Sequence, residues 1–112
     1  MSQLPKPYQQ FKKDHPDVYK AYENLGEVTS ASGPLDIKTR ELIKLGMAAA
    51  NGSESAVHSH THRALDAGAT SDEIEHTLLL GINTLGFSII MASVTWAKWS
   101  LRPLVTGFFI RL

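Results

Sequence analysis

At 112 residues the chain is sized for one domain, and alone it would bury only about two thirds of its unfolded surface, so association is a natural way to bury more. Eleven basic and eleven acidic residues cancel and are spread along the sequence, which excludes the electrostatic footprint of a nucleic-acid or anionic-membrane binder. Cysteine is absent, so disulfides, thiolate metal ligands and thiol redox chemistry are excluded whatever the fold.

Met1 to Lys13 is polar, contains Pro5 and Pro7, and lacks the apolar core of a secretory signal, which makes the cytoplasm the expected location. Residues 1–12 read as a loose arm with about one helical turn. Asp14-His15-Pro16 then marks a helix start, with proline near the first turn where its missing N–H costs little. Val18, Tyr22 and Leu25 give the segment to about Val28 an apolar stripe, and Ser30-Ala31-Ser32-Gly33-Pro34 breaks it. Asp36 is a suitable N-cap for a helix over about 37–50, which Asn51-Gly52 ends. On that helix Ile37, Glu41, Leu45 and Ala48 share one stripe, and Thr39, Ile43 and Met47 another, so Glu41 lies among apolar residues.

The next helix is expected from about Ser53 to Ala67, stopped by Gly68. Ser53, Ala56, Val57, His60, Ala64 and Ala67 form one face of mostly small residues, and His58, His62 and Asp66 point the other way. Thr70 and Glu73 form a capping box that opens a further helix burying Ile74, Leu78 and Ile82. Thr77 to Ala97 carries no charge and is long enough to span a bilayer, but the polar and glycine residues at its centre read as a break at Leu85-Gly86 between two helices of a buried hairpin. The last helix, about 88–100, has Ile89, Ile90, Met91, Val94, Trp96 and Trp99 nearly all round, which calls for neighbours on every side. Pro103 ends it, and residues 104–112 form an apolar tail.

Several residues are candidates for chemistry. Glu41 could be a surface ion-pair partner of Lys38 or Lys44, or a desolvated carboxylate with a raised pKa suited to proton transfer. His60, on the small-residue face, could be a satisfied core histidine or half of an acid/base pair with Glu41. Ser53 invites a Ser/His/Glu hydrolase reading, but there is no G-x-S-x-G elbow, and a first-turn serine is normally a cap; a hydrogen bond from its hydroxyl to substrate is the better functional role. His58 and His62, at i and i+4, are a weak metal candidate with Asp66 beyond them, against a reading as a polar stripe at a solvated or interface face. Arg40 and Arg63 could hold an anionic substrate bidentately, or form intersubunit ion pairs.

LDIKTRELIKLGMAAANG, a histidine-bearing helix, DAGATSDEIEHTLLLGINTLGF and an alanine- and tryptophan-bearing last helix together resemble the carboxymuconolactone decarboxylase family, which includes the alkylhydroperoxidase D-like proteins. The likeness covers roughly residues 10–98. It implies an all-α bundle of about five to six helices that associates as a homo-trimer or homo-hexamer. The redox branch of the family carries a glutamate, eleven residues, Cys-x-x-Cys, three residues and a histidine. Here Glu41, Ser53, Ala56 and His60 reproduce that spacing, with both thiol positions empty.

A thiol peroxidase needs one thiolate to attack the peroxide and a second thiol to resolve the sulfenic acid, and neither serine nor alanine can serve. The leading expectation is therefore a sulfur-free site without cofactor or metal in which Glu41 and His60 are catalytic and Ser53, Arg40 and Arg63 contact the ligand, and the resemblance to the decarboxylase branch, a lyase activity, implies that this ligand is a small organic acid or lactone. The competing reading is a non-catalytic oligomeric binding or scaffold protein with a vestigial peroxidase site.

Overall fold

The computed structural model describes residues 6–102, and among them every regular element is a helix. There are seven, one of them a single turn: α1 Lys6–Asp14, α2 Pro16–Ser30, α3 Ile37–Ala50, α4 Glu54–Asp66, α5 Ser71–Leu79, α6 Ile82–Leu85 and α7 Phe87–Leu101. They fall into two compact units, one ending at Asp36 and the other beginning at Ile37. The apolar tail over 104–112 lies outside the described residues.

In the first unit, the stretch read as a loose arm to residue 12 is helical from Lys6, and that helix runs up to the His15-Pro16 break. Pro16 opens α2 where an N–H would have no intrahelical partner. Tyr19 is the buried residue of the pair, with the Lys12 ammonium 5.4 Å from its ring centroid. Phe11 and His15 stack in a tilted arrangement at 5.2 Å.

The second unit carries the main core: Leu45, Ala48 and Ala49 of α3, Val57 and Ala64 of α4, Ala69, Ile74 and Leu78 of α5 and its entry, and Ile90, Val94, Ala97 and Leu101 of α7. α4 lies between α3 and α7, and α5 packs on α3 and α7. On α3 the stripe of Leu45 and Ala48 turns inward, while Ile43 and Met47 of the other stripe stay exposed. The capping box at α5 is complete: Glu73 N–H donates to Thr70 Oγ1 at 3.0 Å, and Thr70 N–H donates to Glu73 Oε1 at 2.9 Å.

α3 closes through Gly52, whose φ of +65° a side chain would resist, so that α4 can double back along α3. The break expected at Leu85-Gly86 falls at the boundary of α6 and α7. At Gly81 a Cβ would lie 2.5 Å from Ile90 Cδ1, so a larger residue there would require the Ile90 side chain to shift where α7 approaches the end of α5. No helix among the described residues is long and apolar enough to cross a membrane.

Candidate functional site

Helix geometry decides which side chains of α3 and α4 meet. Glu41 lies one turn before Leu45 on the inward stripe of α3, and His60 lies one turn after Ala56 and one before Ala64 on α4. Because α3 and α4 run back to back from Gly52, His60 Nδ1 reaches Glu41 Oε1 at 2.8 Å. The side chains retain 19% and 13% of their accessible surface, respectively, so the contact is sheltered without being sealed.

Burial pushes the Glu41 carboxyl up, in line with its place on an apolar stripe, but it does not prevail. The hydrogen bond from His60, its charge, and the charges of Arg63 and Lys44 together hold Glu41 below the usual glutamate value. Glu41 is therefore a carboxylate at neutral pH, which accepts the Nδ1–H of His60 and leaves Nε2 as the imidazole nitrogen that can exchange a proton with a ligand. The alternative ion pair with Lys38 is not made, because Lys38 Nζ bonds Glu73 Oε2 at 3.0 Å, across to α5.

Ser53 is the N-cap of α4, its Oγ accepting from Ala56 N–H at 3.3 Å, a role that needs no nucleophile. It lies seven residues before His60, about 10 Å along the helix axis. Arg63 is exposed on α4, one turn beyond His60, and acts electrostatically on Glu41. Arg40 is half-buried on α3 and has an interaction of its own.

His58 and His62 are half-buried. His58 bridges two helices: Nδ1 is hydrogen-bonded to Ser100 Oγ of α7, and Nε2 lies 3.3 Å from Glu54 Oε2 on its own helix. Both ring nitrogens are thereby occupied. Burial, and then the neighbouring His58, lower the pKa of His62, with Asp66 opposing. Among the described residues no group of three or more histidine, aspartate or glutamate side chains is placed to hold a metal ion.

Two residues escape a reading of the sequence alone. Ser100 is buried inside α7, whose apolar surroundings hide its partnership with His58. Thr61 is fully buried, and its hydroxyl has no hydrogen-bond partner among the described residues. Its i, i+4, i+7 spacing with Val57 and Ala64 is the available signal.

The comparisons with known proteins agree with this architecture. Two curated relatives are an uncharacterized protein from Methanocaldococcus jannaschii, 34% identical over 67 residues (60% of this chain and 63% of that protein), and one from Haemophilus influenzae, 35% identical over 63 residues (56% of each). The chain thus spans about three fifths of the length of the curated relatives it matches. The crystal structure of an apo carboxymuconolactone decarboxylase family protein from Legionella pneumophila superposes with a TM-score of 0.76 at 22% identity, covering 88% of this chain and 87% of that one, a likeness of fold. The model of the carboxymuconolactone decarboxylase family matches residues 16–99, well over half of the sequence, and the chain belongs to that family.

Proposed function

We propose that Glu41 and His60 form a sulfur-free proton-handling pair that acts on a small organic acid or lactone. The observation that carries this reading is the 2.8 Å contact between an ionised carboxylate and an imidazole in a sheltered position. In that arrangement Glu41 fixes the tautomer of His60, and His60 Nε2 is the group that gives or takes the proton. Decarboxylation needs such a group: as CO2 leaves, the electron pair of the broken C–C bond remains on the substrate, and a proton must be delivered to quench it. The Arg63 guanidinium, one turn away, is suited to a substrate carboxylate, and Arg40 of α3 is the second candidate for that role. Ser53 would contribute a hydroxyl proton only if a ligand extends along α4 toward its cap.

The test is turnover of carboxymuconolactone by the full chain and by two variants. His60→Ala is expected to abolish it and Glu41→Gln to reduce it strongly; turnover surviving both substitutions removes the site. A hydroperoxide assay with a dithiol reductant is expected to show no turnover, because no thiolate is available to attack the peroxide.

One observation favours a second reading, in which the protein is a non-catalytic binding or scaffold module with a vestigial site. Glu41 and His60 satisfy one another, as paired core groups do. Lack of turnover together with a large loss of stability in Glu41→Gln would support it.

A further inference from the structure

Two cations stand beside the Glu41–His60 pair, and the reading above uses one of them. Lys44 follows Glu41 by three residues on α3, and Arg63 follows His60 by three residues on α4, so each neighbours its member of the pair on the helix surface. Lys38, the other lysine of α3, is taken by Glu73 of α5. Among the described residues no carboxylate lies within ion-pair distance of Lys44 or Arg63. Lys44 is half-buried, whereas Lys20 and Lys98 are exposed.

The course of the helices sets these two cations on opposite sides of the pair. Because α4 doubles back along α3, three residues forward lead toward the Gly52 turn on α3 and away from it on α4. At a rise of 1.5 Å per residue, the backbone positions of Lys44 and Arg63 therefore lie about 9 Å apart along the helices, with Glu41 and His60 between them. Side chains on a helix lean toward its N-terminus, so Lys44 leans back toward Glu41 and Arg63 toward His60. The charges of both act on Glu41, and every charged group that does so is a cation. With a neutral imidazole, one carboxylate thus meets two fixed positive charges, a surplus that favours an incoming anion. An anion held by Arg63 alone leaves Lys44 uncompensated.

We propose that Lys44 is a specificity-determining residue of this site, its ammonium holding a second anionic group of the ligand on the side of the Glu41–His60 pair away from Arg63. The assignment rests on the proton-handling reading for the position of the ligand, but it concerns recognition and can be read by binding alone.

The probes are glutarate, with an anionic group at each end, and valerate, of the same carbon number with one. Their binding to the full chain is followed by NMR through the ring signals of His60. The wild type is expected to prefer glutarate. Lys44→Gln should raise the dissociation constant for glutarate about tenfold and leave that for valerate nearly unchanged, the scale of one charge-assisted contact. Lys44→Arg should retain the preference. If circular dichroism shows Lys44→Gln to be unfolded, Lys44→Met, which keeps the aliphatic stem, is read in its place. With carboxymuconolactone as substrate, the same loss should appear in KM, with kcat within a few-fold of wild type.

A wild type that binds neither acid, or binds both equally, overturns the proposal. So does a folded Lys44→Gln chain that keeps the preference while the pH midpoint of the His60 signals shifts, since Lys44 would then act on the pair alone. A preference that depends on Lys44 in a protein without turnover would sink the catalytic reading and leave this one standing. Turnover with an unaltered KM in Lys44→Gln would do the opposite.

Discussion

Two histidines two residues apart on α4 face different neighbours, and their surroundings give them different properties. His60 meets a carboxylate from α3 that is itself sheltered and flanked by Arg63 and Lys44. His58 meets a buried hydroxyl on α7 and an exposed glutamate on its own helix. The first contact couples two titratable groups and leaves Nε2 available. The second uses both nitrogens of the ring to hold α4 against α7. A histidine's role is set by which nitrogen is already occupied, more than by how deeply the ring lies.

Exchanging the two histidines for alanine in turn gives the largest expected contrast. With carboxymuconolactone as substrate, His60→Ala should lower kcat by about 100-fold or more, the usual contribution of general acid/base catalysis, while His58→Ala should stay within a few-fold of wild type. Equal losses in both would erase the distinction. Stability should show the reverse order. Removing the His58 ring leaves the buried Ser100 hydroxyl without that partner, at a cost of about 1–3 kcal/mol in denaturant unfolding, and Ser100→Ala added to it should recover part of the loss.

A smaller effect is expected in the acid limb. The folded-state pKa of Glu41 lies below its unfolded value, so the unfolded chain takes up a proton first as the pH falls. The stability from Glu41 is present above the ordinary glutamate range and is lost as the pH drops through the depressed value. Glu41→Gln should therefore flatten the stability profile below about pH 4.5, and an unchanged acid limb would show that the pair is not formed in solution. The smallest effect is expected at His62, whose pKa is also depressed. Its contribution is present above the ordinary histidine value of 6.5 and declines below it, so His62→Gln should remove a shallow slope on the acid side of pH 6.5 in thermal melts.

Local chemistry is the legible part of the molecule. The T-x-x-E box, the Asn51-Gly52 stop and the Leu85-Gly86 break act through neighbouring residues, and each lies where its side chains dictate. The facing of Glu41 toward His60 is also readable, because two helical periods and one short turn determine it. What is not readable depends on distances between helices. His58 and Ser100 are 42 residues apart, and nothing local marks the serine. The direction of the Glu41 shift is a balance between burial, which the apolar stripe suggests, and three positive neighbours, of which Arg63 becomes one only after the chain has folded. α1 is helical from Lys6 where the sequence reads as a loose arm with about one turn, and Pro7 falls in its first turn, where a proline is well tolerated.

The silent hydroxyl of Thr61 has a consequence for how this core could evolve. A methyl group in place of that oxygen would keep the branched shape while removing a buried hydroxyl that has no hydrogen-bond partner among the described residues. The position is an untapped reserve of stability within the same helix that carries both histidines, available to offset whatever strain a new ligand-facing substitution on α4 introduces.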